Sequence, residues 1–473
     1  MSAPARPVRV RLGVWLPYHL KHLTDLFQRQ PDARMIWGYA APGRVAHPIL
    51  SGPTARQREV TRQEACMSRF SLGCAGLVLA LTLATPAWAQ QGEDRTQQRA
   101  AGFELYGFVM ADAVYDHTGI NPQWGDAARP TRLPSFEGEF GEKGNFFFGV
   151  RQSRIGIKPH VPTALGEVTA QFDIDMFGTG VDAGRTTVRL RHAYASLGQF
   201  GFGQTESVFT DADAFPNVVD YWGPHGMAFF RNVQFRWTPI SGDKQLMFAL
   251  ERPGASPDAG DYAGRIELAD VRVRFPVPDV SGAFKWGGHD WGYLRVAGIL
   301  RYTKWDDIGN EQFDLSGDAV GWGVNVSSNV NLGKKAVLRS EVVFGEGIQN
   351  YMNDAPVDLA AELTGDPVTP LTAEPLPILG VSAYLDMNWN EKWTSSLGYS
   401  RSDTDNTASQ SANAFMTGQY ASVNLLWYPV PNMFVGPELQ YISRENARDG
   451  FTTDGIRVQV SAKYSFSANF GVQ

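Results

Sequence analysis

Arginines recur at alternate positions within short apolar segments of this chain. A guanidinium so placed can close on a carboxylate or present two or more donors to a passing anion. In 185–197, Arg185, Thr187, Arg189 and Arg191 oppose Val188, Leu190 and Tyr194. In 165–177, Glu167, Thr169, Gln171, Asp173 and Asp175 oppose Val168, Ala170, Phe172, Ile174 and Met176. Arg295 and Arg301 oppose Leu294, Val296, Leu300 and Tyr302, and Arg339 with Glu341 opposes Leu338, Val342 and Phe344. The run FFFGVRQSRIGIK is less regular, because Arg151 and Arg154 differ in parity; Arg154 with Gln152 makes the better polar pair against Ile155 and Ile157.

Alternation of this kind is the signature of β-strands, whose successive side chains point to opposite faces. Sixteen such segments lie near 103–115, 146–158, 165–177, 185–197, 199–208, 230–238, 244–252, 279–287, 291–303, 319–331, 335–346, 377–389, 392–401, 418–429, 432–443 and 455–470. Their connections alternate between short turns, such as Gly198 and NLGK at 331–334, and longer loops, such as 116–145, 209–229, 253–278 and 347–376. This rhythm predicts an all-β fold, an up-and-down antiparallel barrel crossing a membrane with short periplasmic turns and longer external loops. The segment 265–275 also alternates and reads as part of the fourth long loop or of the strand after it. The last strand keeps Ile456, Val458, Val460, Ala462, Tyr464 and Phe466 on one face, and Arg457, Gln459, Ser461, Lys463 and Ser465 on the other. It closes the barrel against the first.

A bilayer decides which face points where. Arginine facing lipid at the midplane costs roughly 2–4 kcal/mol, so Arg154, Arg189, Arg191, Arg295, Arg301 and Arg339 are expected to form a basic wall inside. Glu167, Asp173 and Asp175 form an acidic wall on the same side, and a charged interior implies water within the barrel. The third long loop carries Asp211, Asp213 and Asp220 with Phe215, Tyr221 and Trp222, stiffened by Pro216 and Pro224. Folded into the lumen, it would set carboxylates against guanidiniums, and an excess of arginine would favour anions. The same arginines could instead pair with Glu167, Asp173 or Asp175 and only join neighbouring strands.

Met67 begins a different pattern: a basic start, the apolar run AGLVLALTLA and TPAWAQ, with Ala87 and Ala89 spaced as in a small-residue cleavage site. This reads as an export signal at 67–89, cut between Ala89 and Gln90. Residues 1–66 read as an unstructured or mis-assigned extension, 90–101 as a short periplasmic segment and 102–473 as the barrel domain. Both cysteines, Cys66 and Cys74, precede the cut, which leaves no thiol for disulfides or metal.

Other chemistries find little support. His117, His160, His192, His225 and His289 lack zinc spacing, DIDMF at 173–177 sits on a strand and not in a calcium loop, and no nucleophile elbow occurs. No metal, cofactor or catalytic set is expected, and the chain reads as a non-enzyme. A net charge of −7 argues against nucleic acid as a partner.

The segments LYGFVMADAVYD, FGVRQSRIGIK, AQFDIDMFG, RLRHAYASLGQFGFGQTESVF and FPNVVDYWGP resemble the DcaP-like outer-membrane porins of Gram-negative bacteria, from about Gly102 to Trp237. The resemblance implies a homotrimeric, sixteen-stranded channel in outer-membrane lipid, with an arginine-rich constriction passing small anionic, dicarboxylate-like solutes. It implies Arg154, Arg189 and Arg191 as the basic wall and Asp211 and Asp213 as loop acids. Two other readings stand beside it: an outer-membrane barrel enzyme acting on lipids, which needs a Ser/His pair at a rim, and a secreted β-rich carbohydrate-binding protein, which needs a polar outer surface.

Overall fold

The computed structural model describes residues 100–288, 290–310 and 312–471. The extension 1–66, the export signal 67–89 with its Ala89/Gln90 cut, most of the 90–101 segment and His289 lie outside the described residues.

All sixteen expected strands are present. They are β1 (Gly102–Asp116), β2 (Asn145–Gly149 and Arg154–Thr163), β3 (Gly166–Phe177), β4 (Thr186–Leu197), β5 (Phe200–Glu206), β6 (Arg231–Ile240), β7 (Lys244–Glu251) and β8 (Val271–Arg274 and Asp279–Gly288). They continue as β9 (Gly292–Asp307), β10 (Gly317–Leu332), β11 (Ala336–Glu346), β12 (Pro377–Asn390), β13 (Trp393–Thr404), β14 (Phe415–Asn424 and Leu426–Trp427), β15 (Met433–Asn446) and β16 (Thr452–Gly471). Each pairs antiparallel with its neighbours, and β1 pairs with β16 from Gly102↔Gly471 to Asp116↔Arg457. Closure gives every stave two partners, the condition for strands in hydrocarbon, where no water can satisfy an open edge. The ambiguous 265–275 resolves as a 3-10 turn, Ile266–Asp270, followed by the upper part of β8.

Parity behaves as the bilayer argument requires. On β9, Arg295 and Arg301 are buried inside while Leu294, Val296 and Leu300 are exposed on the outside. On β16, Arg457, Gln459 and Ser461 are buried within while Ile456, Val458, Val460 and Tyr464 face out. Phe103 and Phe470 stack 4.9 Å apart at the periplasmic end, part of the aromatic girdle. The apolar outer surface excludes the secreted carbohydrate-binding alternative. Val296, outward on β9 between Leu294 and Leu300 and 45 % exposed, provides a direct check. Val296→Arg is expected to lower folding stability in lipid vesicles by roughly 2–4 kcal/mol; a denaturant titration with the wild-type midpoint would show that this face does not meet lipid.

Two local irregularities correct the simple alternation. Opposite Asp173/Ile174 the register jumps from His192 to Leu190, a β-bulge at Arg191. A bulge inserts one residue and flips everything after it. Tyr194, expected outward with Leu190, therefore pairs with Gln171 and points in, and Ala193 and Ala195 take the outer face. Residues 150–153 leave the ladder between the two parts of β2, so Arg151 and Gln152 are both buried inside despite opposite parity.

The lumen is not simply water-filled, a second correction. The first external loop (117–144), the third (207–230) and the sixth (347–376) turn inward and pack. Ile120, Trp124, Ala127 and Leu133 from the first loop meet Val218, Tyr221 and Trp222 from the third. Val208, Phe209 and Ala228 from the third meet Ile348, Tyr351 and Met352 from the sixth. Part of the sixth loop, Leu359–Leu363 and Leu371–Pro375, forms a small sheet with Pro257–Asp258 of the fourth.

Candidate functional site

The third loop is fastened to inward side chains around most of the ring. Tyr293 and Ser327 donate to Asp211 at 2.9 and 2.6 Å. Asn217 donates its N–H to Asp386 at 3.2 Å. Val219 and Asp220 donate theirs to Glu438 at 2.7 and 3.1 Å, and Ala228 donates to Glu341 at 2.7 Å. An exposed backbone segment inside a pore would leave its N–H groups competing with water; here inward carboxylates of β11, β12 and β15 accept them. The loop is thus held as a fixed partition.

Of its three acids, one meets water. Asp211 is buried, and Asp220 is buried accepting the N–H groups of Ala128, Trp222 and Gly223. Burial pushes the Asp220 carboxyl up to about 7, against the pull of Arg457 and the N–H donors. Asp213 is exposed and lies 2.8 Å from Lys285. The loop therefore contributes little unbalanced negative charge.

The six arginines named from sequence all turn inward but divide into groups. Arg189 bonds to Asp175 at 2.7 Å and Arg191 to the same carboxylate at 3.1 Å, with both guanidiniums on the Tyr221 hydroxyl of the third loop. Asp173 stands 3.9 Å from Arg191 and accepts from Tyr106 at 2.6 Å. Arg154 lies over the Phe108 ring at 5.4 Å, and no carboxylate among the described residues stands within salt-bridge distance of it. Its Nε is buried without a partner. Glu167, by contrast, is exposed near the periplasmic turn and away from this cluster.

Arg295, Arg301 and Arg339 serve the loops instead. Arg295, 3 % exposed, donates to the Val208 carbonyl at 2.5 Å. Arg301, 5 % exposed, bonds to Asp279 at 3.1 Å, to Asp358 at 3.0 Å and to the carbonyls of Gly254 and Gly347. Arg339 bonds to Asp386 at 2.5 Å and to the Asp213 carbonyl. Their inward parity is as expected, but Arg295 and Arg301 are covered by loop and do not reach open water.

Arg236 and Lys463, absent from the expected wall, also point inward and have no carboxylate within salt-bridge distance among the described residues. Arg236 on β6 bonds only neutral groups, Gln234 at 3.1 Å and the Glu206 carbonyl at 2.5 Å, and lies over Tyr194 at 5.6 Å. Lys463 on β16 lies over Phe108 at 4.3 Å and Phe434 at 5.7 Å. The alternation of Val233, Phe235 and Trp237 against Asn232, Gln234 and Arg236 is the signal that places Arg236 inside.

A third group locks the loops together. Arg129 of the first loop is sandwiched between Trp124 and Trp222, 4.1 Å from each ring centre, and bonds to Asp354 of the sixth loop at 2.9 and 2.6 Å. Asp354 also accepts from the Thr131 N–H and hydroxyl at 3.1 and 2.7 Å. Burial opposes its ionisation, but Arg129 and Thr131 outweigh it and hold the carboxyl below its ordinary range. His225 is buried in the same junction beside Gly418 and Pro130, and burial lowers its affinity for a proton.

A closed sixteen-stranded barrel with an apolar outer face, a charged inner face and inward-folded loops defines an outer-membrane channel of porin architecture. Residues 74–289 match the model of the DcaP outer membrane protein family, which the chain resembles over that span. Its fold is similar to the outer membrane channel DcaP of Acinetobacter baumannii, at 22 % identity and a TM-score of 0.65, over 78 % of this chain and 98 % of that one. The anion-selective porin of Comamonas acidovorans is similar at 11 % identity and a TM-score of 0.49, over 77 % of this chain and 100 % of that one. No curated protein matches the sequence.

Proposed function

We propose that this chain is a passive porin whose lumen favours small hydrophilic anions, dicarboxylate-like solutes among them. The observation that supports this most is that Arg154, Arg236 and Lys463 point inward, each against an aromatic ring, with no carboxylate among the described residues within salt-bridge distance. Arg189 and Arg191 are balanced by Asp173 and Asp175, so the three others supply net positive charge. A wall of one sign raises the local concentration of counter-ions, and stacking on aromatics holds long cationic side chains out without a competing anion.

In this reading the mature chain starts at Gln90 after removal of the 67–89 signal, residues 102–473 form the barrel, and the working form is a homotrimer. The protein is read as non-enzymatic, with no cofactor and no nucleic-acid partner. The lipid-enzyme alternative asks for a Ser/His pair at a rim, and release of fatty acid by purified protein in lipid vesicles would favour it. The porin reading is tested by reconstitution in planar bilayers: stepwise conductance is expected, with a reversal potential in a salt gradient displaced toward the anion. A chain that inserts without conducting, or conducts with cation preference, would remove this reading.

A further inference from the structure

We infer that the outward rim at the extracellular ends of β7, β8 and β9 binds the phosphate of an outer-leaflet lipid. Register places Arg272 opposite Asp306 and Arg274 opposite Lys304. Lys304 shares parity with the outward Leu300 and Tyr302, so both arginines face out as well. Val271 and Val273, which alternate with the arginines, pair with Asp307 and with buried Trp305 on the other side. Arg252, one residue past β7, keeps the parity of lipid-facing Phe248 and Leu250 and is exposed.

The charges there are incompletely balanced. Arg274 and Lys304 sit directly across from each other, an unfavourable pairing for like charges unless an anion lies between them. Asp306 bonds to Arg274 and stands 3.8 Å from Lys304, so one carboxylate answers two cations. Asp318 faces Lys304 from β10, and Asp270 is 3.9 Å from Arg272. Arg252 has no carboxylate within salt-bridge distance among the described residues. The Arg272 and Arg274 side chains are 56 % and 51 % exposed, open to an external ligand. Arg274 also makes two bonds to Asp306, but shares that carboxylate with Lys304, whereas Arg401 on β13 is the one cation within salt-bridge distance of Asp403 among the described residues, with two bonds of 2.7 Å.

What lies below selects a lipid over a free anion. Tyr302 and Trp322 mark the interfacial girdle, and beneath them Leu300, Val296, Val280 and Phe284 form an exposed apolar band. Guanidiniums above such a band match an amphiphile with a phosphate head, which takes charge-assisted bonds at the rim while its chains cover the strands.

The test is native mass spectrometry of the detergent-purified full-length protein with a bis-phosphorylated disaccharide lipid, its dephosphorylated form, or inorganic phosphate. The wild type is expected to retain the phosphorylated lipid. Arg252→Ala with Arg274→Ala and Lys304→Ala is expected to lower retention about tenfold or more, while Arg401→Ala leaves it unchanged. Asp306→Asn, which removes the competing carboxylate, is expected to increase retention, a gain that misfolding cannot mimic. Equal retention of the dephosphorylated lipid, full displacement by inorganic phosphate, or undiminished retention by the triple variant would overturn the assignment.

Discussion

Arg154→Glu combined with Lys463→Glu is expected to turn the pore from anion to cation preference. Both side chains face the lumen over the same Phe108 ring, and neither has a carboxylate partner whose loss would complicate the result. The two reversals swing the lumen by four charges. A charge about 8 Å from a permeating ion in water-like surroundings contributes roughly 0.5 kcal/mol, so the swing disfavours an anion and favours a cation by about 2 kcal/mol each, or some thirtyfold for each ion. Reversal potentials across a salt gradient read this directly. The gradient belongs at low ionic strength, since at 0.1 M the Debye length is about 10 Å and higher salt hides the effect. An unchanged potential would place the selective step elsewhere. Reversing Arg189 and Arg191 is a less clean experiment: each is bonded to Asp175, and its replacement would leave that carboxylate inside without a cation.

Sixteen strands were legible because lipid enforces parity. A residue on the wrong face costs kilocalories, so the pattern persists in every stave and even the terminal strand reads correctly. What parity could not show were the places where the ladder breaks. The bulge at Arg191 and the excursion at 150–153 leave no compositional mark, and they decide where Tyr194 and Arg151 point. Loop packing was equally hidden. Arg301 reads from sequence as one more inward arginine, yet its partners Asp279, Asp358 and Gly254 come from separate segments that only folding brings together. Asp211 and Asp220 read as pore acids because they sit in an acidic loop, while the structure buries them among donors. Arg236 and Lys463 were available from alternation alone.

Asp354→Asn is expected to free the first loop without unfolding the barrel. The guanidinium of Arg129, 9 % exposed and held between two indoles, would lose its carboxylate. Removing one partner of a buried ion pair costs about 3–5 kcal/mol, so the junction should open about two to four orders of magnitude more often. Hydrogen exchange across 121–133 measures that opening, while retention of the heat-resistant barrel on gels reports the strands. Unchanged exchange would show that the aromatic sandwich alone holds the loop. The same pair gives a pH signature. Asp354 has its carboxyl held below the ordinary 3.8, so its contribution is present above that value and lost as pH falls through the folded-state pKa. His225, lowered from 6.5 by burial, destabilises the junction as pH drops below 6.5. Asp220, raised from 3.8 to about 7, stabilises it over that same fall. These two oppose each other as pH falls below 6.5, and loss of the Asp354 contribution below 3.8 is expected to raise loop exchange. In Asp354→Asn the rise below pH 4 should disappear, and its persistence would assign the acid step to another carboxylate.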